Sequence, residues 1–220
     1  GVMALETKRG DDRFRFSATN FLPSYEFHNG LTLSNWTPRG TVSGPIVKGR
    51  AWYFNALDLQ YDLNTLDELP STANTNRNWF GSNMSLVQVN LTNSNILTSS
   101  FLFNFQDSYH LGLTPLDPVE TSRYRRERFY FLSLKDQAYF RGGWILETGL
   151  GLNRTNIRER PEGDQMYVIS PEGRSGNYFL SFDRHVERLQ TLANVTSPFW
   201  QRYGRHNLKF GIDANSLRYQ

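Results

Sequence analysis

The sequence predicts an all-β chain, an antiparallel up-and-down meander of about nine long strands. Three observations carry that prediction. Apolar residues recur with period two and not 3.6, the signature of half-buried strands. Connections between the periodic segments alternate between short and long. The segments themselves run to roughly 10–15 residues, against roughly 5–6 in an ordinary soluble sheet.

Taken in order, the first strand covers roughly residues 12–20, where Phe14, Phe16 and Ala18 alternate with Arg13, Arg15, Ser17 and Thr19. A second lies at about 38–46. In the third, about 51–63, Tyr53, Leu57, Leu59 and Tyr61 oppose Asp58, Gln60 and Asp62, and Asn55 interrupts the apolar set. The fourth and fifth cover about 79–92 and 96–109. In the fifth, Leu97, Phe101, Phe103 and Phe105 share one parity with Ser99, while the other parity is mostly polar (Thr98, Ser100, Asn104, Gln106). Strands at about 124–139 and 144–158 come next, the latter setting Trp144, Leu146, Leu150 and Leu152 against Glu147, Gly149, Gly151 and Asn153. An eighth, about 177–198, has ambiguous faces. The ninth, about 206–219, alternates Leu208, Phe210, Ile212 and Ala214 with Lys209, Gly211, Asp213 and Asn215.

Tight turns are expected at Val47–Arg50, Thr92–Asn95, Phe140–Gly143 and Trp200–Arg205, where Gly, Asn and Ser supply the needed backbone conformations. Long polar connections lie between them, at about 21–36, 64–77, 110–123 and 159–176. All the short turns then fall at one end of the sheet and all the long loops at the other, as in a membrane β-barrel. The strand lengths suit that setting too, since a tilted strand needs about 9–11 residues to cross a bilayer. A sheet in lipid tolerates no free edge, so nine strands must close with others. The expectation is therefore an open segment of a transmembrane β-barrel, a fragment of a longer chain.

Composition excludes several alternatives. Hydrophobic residues make up 38% and aromatics 15% of the 220 residues, which fits a sheet with one wet face better than a protein with a large private core. No apolar run is long enough for a membrane-spanning helix. With no cysteine, thiolate chemistry, disulfides and cysteine-ligated metals are excluded, though the compartment is left open. The net charge of +3 is too balanced to argue for nucleic acid. No two of His28, His110, His185 and His206 have metal-ligand spacing, no nucleophile elbow occurs, and Gly149-Leu150-Gly151 lacks the strand–turn–helix setting of a nucleotide loop. Asp58 and Asp62, about 13 Å apart along one strand, are too far apart for a glycosidase pair. The five Asn-x-Ser/Thr sequons, at Asn35, Asn83, Asn90, Asn153 and Asn194, fall in several cases inside strands, where a glycan would clash. No catalytic residue, metal ligand or cofactor site is expected.

Two groups remain as candidates for contact with a surrounding membrane. Arg123, Arg125, Arg126 and Arg128 form the densest basic run, placed where a long loop meets its strand. There they suit lipopolysaccharide phosphates, or else form a solvated rim partly paired with Glu127. Aromatics near the strand ends, including Trp52, Tyr53, Trp79, Tyr139, Trp144 and Trp200, suit interfacial girdles; Tyr53, Tyr139, Trp144 and Trp200 cluster at the short turns, where the periplasmic girdle would lie, with core packing as the alternative.

Three blocks carry a family resemblance. The opening Gly1-Val2-Met3-Ala4-Leu5-Glu6-Thr7-Lys8-Arg9-Gly10 resembles the end of a TonB-dependent receptor plug. Gly44-Pro45-Ile46-Val47-Lys48-Gly49-Arg50-Ala51-Trp52-Tyr53-Phe54 resembles an early periplasmic turn of the Oar-like subfamily, whose members often carry a carboxypeptidase-regulatory-like domain ahead of the plug. Arg205-His206-Asn207-Leu208-Lys209-Phe210-Gly211 is similar to a strand start in the same proteins. The resemblance implies that residues 1–10 end a plug and that residues 11–220 begin a barrel of roughly 22 strands in the bacterial outer membrane. It further implies energy-coupled uptake of a nutrient, and as partners outer-membrane lipid and lipopolysaccharide, the rest of the parent chain, and the TonB complex through segments outside this sequence. The competing expectations are a non-transporting adhesin or assembly barrel, and a soluble secreted carbohydrate-binding β-domain.

Overall fold

The computed structural model describes residues 8–27, 30–177, 179 and 181–220. Among these the chain is almost wholly β. Nine strands follow one another across a single antiparallel sheet: β1 (Arg15–Thr19), β4 (Arg39–Val47), β5 (Ala51–Thr65), β6 (Thr75–Thr92), β7 (Asn95–Leu111), β8 (Arg123–Tyr139), β9 (Ile145–Pro161), β12 (Phe182–Thr196) and β15 (Lys209–Tyr219). Each pairs with its neighbours in that sequence, and β1 and β15 do not meet. This is the open up-and-down meander that the period-two pattern predicts.

Differences from expectation lie in the connections and in several strand starts, β1 beginning at Arg15 where about 12 is expected and β6 at Thr75 where about 79 is expected. The stretch 21–36, expected as a loop, contains a hairpin of β2 (Ser24–Phe27) and β3 (Leu31–Trp36), and β3 pairs Asn35 and Trp36 with Asp62 and Tyr61 of β5. Its tyrosine, phenylalanines, threonine and tryptophan are good strand formers, and the Trp36 indole donates to the Phe21 carbonyl at 3.0 Å. The loop 159–176 likewise holds a small hairpin, β10 (Val168–Ser170) with β11 (Gly173–Ser175). The final turn encloses a third, β13 (Trp200–Gln201) with β14 (Arg205–His206). The eighth strand of the main path starts at Phe182, not near residue 177, because the Asn177 amide donates to the Gln165 carbonyl at 2.7 Å and is spent within the loop. Most of segment 1–10, and His28, lie outside the described residues.

The turns at the short end follow their residues. Gly142 and Gly143 both have φ near +84°, which a side chain would resist. They let the Phe140 amide reach the Trp144 carbonyl at 2.9 Å. Pro45 sits at a bulge between β4 and β5, beyond Ser43, the last residue that β1 covers. A residue without an N–H is tolerated there. Asp12 ties the approach to β1 onto the same turn, accepting from the Gly49 amide at 2.8 Å and the Trp52 indole at 2.6 Å.

Registers across β5–β15 keep parity, so each face is continuous. One carries Leu57, Phe101, Phe103, Tyr130, Leu132, Leu134, Leu150, Leu152, Leu189, Val195, Phe210 and Ile212. The other carries Asp58, Gln60, Ser82, Asn104, Gln106, Glu127, Ser133, Lys135, Glu147, Gln190 and Asp213. The polar face also holds a small apolar group near the short turns, where the register sets Phe54 beside Leu86 and Met84 beside Leu102. Leu86 there is only 3% exposed.

Gly81 shows how tightly the apolar face is fitted. A Cβ at this position would collide with the ring of Phe105, which lies over the glycine from the neighbouring strand. Gly81→Ala is expected to cost about 1–3 kcal/mol through overpacking, read as a lower urea midpoint. Combining it with Phe105→Leu should cost less than the two single changes added together.

Candidate functional site

The long-loop end and the polar face hold the groups able to recognise something. On the polar face, β4–β8 line an open hollow of about 410 Å³ whose walls include Phe80 and Phe129. Arg39 donates to Asp58 across β4 and β5 at 3.1 Å, and Ser82 donates to the Asn104 side chain at 2.7 Å. Glu127 accepts from Arg125 at 2.8 Å. Asp62, on the same face as Asp58, accepts from Asn35 and from Gln60. Arg39 and Arg125 are matched by carboxylates here, and side-chain amides bond to a carboxylate or a hydroxyl. Such a surface is built to bind polar groups, and among the described residues no nucleophile sits beside a base in it. No group of three His, Asp or Glu side chains is placed to hold a metal among the described residues.

The arginine run divides between the faces because alternate residues of a strand point opposite ways. Arg123 and Arg125 fall on the polar face, paired with Glu159 and Glu127. Arg126 and Arg128 fall on the apolar face, above its aromatic band, and share Asp107 at 3.3 and 2.7 Å. The Tyr124 hydroxyl also donates to Asp107, at 3.2 Å. Each of the four guanidinium groups therefore has a carboxylate partner. On β9 and β12 the same rim continues with Arg158 and Arg160, both on Asp183.

The four girdle candidates are not brought together on one face. Tyr53 belongs to the apolar parity, opposite Val87. Trp144 immediately precedes β9 with the parity of Leu146. Tyr139 has the parity of Lys135 and Gln137 on the polar face, and Trp200 sits in the small hairpin, its ring 6.0 Å from that of His206. At the opposite end of the apolar face stand two aromatic pairs, of whose members only Trp79 is expected from the sequence as a girdle residue. Tyr61 meets Trp79 at 4.6 Å, and Tyr109 meets Tyr124 at 4.9 Å. Their signal is present in the sequence as aromatics at the loop-side ends of four consecutive strands.

Two of the long loops are fastened to each other. Arg174 on β11 reaches both carboxylate oxygens of Asp117, at 2.7 and 2.8 Å, and its amide donates to the Leu116 carbonyl at 3.0 Å. The Glu162 amide donates to the Ser122 carbonyl at 3.1 Å. Neither contact is legible in the sequence, because the partners are far apart in the chain and meet only once both loops are folded.

No family model, no curated protein and no solved structure matches the chain.

Burial raises the pKa of Asp117, but hydrogen bonds from Arg174 and Thr114 outweigh it and hold the carboxyl below its ordinary value. A depressed carboxylate contributes in full above its unfolded pKa, about 3.9, and loses that contribution as pH falls through the lower folded value. The Arg174 amide is thus expected to keep its hydrogen-exchange protection from pH 7 down to pH 5, after correction for intrinsic rates. Asp117→Asn should exchange several-fold faster there across that whole range.

Proposed function

We propose that the chain forms part of the wall and several outer loops of an outer-membrane TonB-dependent receptor of the Oar-like kind, working in energy-coupled uptake of a nutrient. One observation carries the membrane part of this reading. Eleven large apolar or aromatic side chains on one face of the sheet, from Leu57 on β5 to Ile212 on β15, are 36–76% exposed. Proteins in water rarely leave so large a contiguous apolar surface uncovered. Lipid chains would cover it, and the strands of 15–18 residues from β5 to β12 exceed the about 9–11 needed to cross.

The remainder of the reading rests on the same arrangement. The polar face would look inward, toward a plug domain supplied by the same parent chain. Further strands would pair with β1 and β15, since unpaired backbone groups are not tolerated in hydrocarbon. The long loops would face outward, where the aromatic pairs and the rim of Arg126, Arg128 and Arg158 would meet the headgroup layer and lipopolysaccharide phosphates. Coupling to the TonB complex would pass through the plug, and the resemblance of the three sequence blocks supports that step.

The native chain has no cysteine, so single cysteines can be introduced without background. Bimane placed in turn at residues 131–135 should be quenched by bromolipids at 132 and 134 and by aqueous iodide at 131, 133 and 135. Iodide access at both parities would remove the membrane reading. Leu132→Arg should lower stability in bilayers by about 2–4 kcal/mol, whereas Ser133→Arg should be nearly neutral. The receptor assignment has its own test in the coding region around this segment. A plug upstream and a dozen or so alternating strands downstream are expected, and strands without any plug would point to an adhesin or assembly barrel.

A further inference from the structure

Two arrangements of one kind stand side by side at the loop end of the apolar face. Asp107 of β7 is shared by Arg126 and Arg128, and Asp183 of β12 by Arg158 and Arg160. Within each, one arginine is heavily engaged and the other less so. Arg128 donates to the Gln106 and Glu127 carbonyls besides Asp107, and Arg160 to the Glu159 and Phe182 carbonyls besides Asp183. Arg126 and Arg158 hold their carboxylates through the Nε–H, at 3.3 and 2.9 Å. Arg126 also lies over the Tyr124 ring, 5.5 Å from its centre. A guanidinium carries five N–H donors, so neither arginine is exhausted by these contacts. Their side chains are 49% and 59% exposed, within reach of an incoming group.

The register then sets Arg126 directly opposite Arg158. Like charges in that position repel. Four guanidinium groups on two carboxylates leave an excess of two positive charges. A neighbouring pairing on this face, Arg154 beside Glu187, is by contrast balanced. At the paired arginines lies an open hollow of about 330 Å³, whose wall includes Arg126, Arg128 and Arg158 with Asn156 and His185.

We propose that Arg126 and Arg158 clamp a phosphate monoester in this hollow. Such a group carries a charge approaching −2 near neutral pH and presents three acceptor oxygens, which matches the excess. The planar donor fork of each guanidinium fits phosphate oxygens two at a time. An anion held between the arginines turns one repulsive pairing into two attractive ones. A carboxylate or a phosphodiester, with a single charge, leaves half the excess uncompensated. The monoester can belong to a lipid headgroup or be free in solution. Toward the short turns the same face continues with Tyr130, Leu132, Leu152 and Leu189, a column along which acyl chains would lie. The lipid source therefore rests on the membrane reading above, whereas the anion site rests only on the register of β8, β9 and β12.

The test is a phosphorus NMR titration of the whole chain in maltoside micelles at about 0.15 M salt. The probes are phosphatidic acid, a phosphomonoester lipid, inorganic phosphate, and phosphatidylglycerol as the phosphodiester comparison. Phosphatidic acid should shift and broaden saturably, and phosphatidylglycerol should bind several-fold more weakly. The double change Arg126→Gln with Arg158→Gln should weaken phosphatidic acid binding by about tenfold or more. It strands no carboxylate, since Asp107 keeps Arg128 and Tyr124 and Asp183 keeps Arg160. Arg154→Gln, on the same face, should change binding less than about twofold. Tight binding of inorganic phosphate that the double change abolishes also supports the site and makes the source a soluble phosphate. The proposal is overturned by the absence of saturable binding from both monoesters, by binding that the double change leaves intact, or by phosphatidylglycerol binding as tightly as phosphatidic acid. Loss of the membrane quenching pattern with this site intact would strike only the membrane reading.

Discussion

Register parity is the constraint on which the two-faced character of this sheet depends. Because the side-chain period along a strand is two, a slip of one residue in any pairing would send a whole strand's apolar set to the polar face. The pairings from β5 through β15 avoid this. Phe103 lies beside Tyr130, Leu132 beside Leu152, Leu152 beside Leu189, and Val195 beside Phe210. The bulges at Pro45/Val47, Asn90/Thr92 and Ser108/Leu111 fall near strand ends, where a change of phase leaves the central band undisturbed. The tight turns hold the register on one side, and the aromatic side chains hold it along the face, as Phe105 does by lying over Gly81.

Most of that architecture is legible in the sequence, because it is written locally. Leu97 to Phe105 and Leu146 to Leu152 show their parity without reference to any neighbour, and the Gly and Asn residues of the tight turns mark where each strand reverses. The features that are not legible depend on pairs remote in sequence. Asp107 looks like an isolated acid on an aromatic strand until β8 is aligned beside it, and only then does it gather Arg126, Arg128 and Tyr124. The hairpin of β2 and β3 reads as a loop because Pro23, Asn29 and Gly30 dominate its composition, while its strands are too short for a period to show. The faces of the eighth strand are ambiguous in the sequence because Arg184, His185, Glu187 and Arg188 put charge on both parities. Their partners, Ile157, Asn156, Arg154 and Asn153, become known only through the register.

The candidate recognition surfaces divide in the same way. Pairing of opposite charges across neighbouring strands, as between Arg39 and Asp58 or Lys135 and Glu147, keeps the polar face nearly neutral in spite of its many ions. Arg39 and Asp58 are both well exposed, and a contact of that kind adds little to stability. The effect of such pairs is on what the surface will accept. The loop end differs, because there Asp117 and Arg174 join two connections that no strand pairing links. A change of shape in one loop is thereby felt in the other.

The two borders of the sheet are unequal. β1 offers five residues and β15 eleven, all of the latter exposed. Every peptide group on the outer side of β15 points its N–H or C=O at whatever lies beyond, so this border acts as a ruled template for the next strand to arrive. A newcomer that matched its spacing would inherit the parity already set by Phe210 and Ile212, and its own apolar residues would continue the same surface. The sheet therefore grows with a direction: the long border dictates alignment to an incoming strand, while the short one can only receive a partner over a few residues.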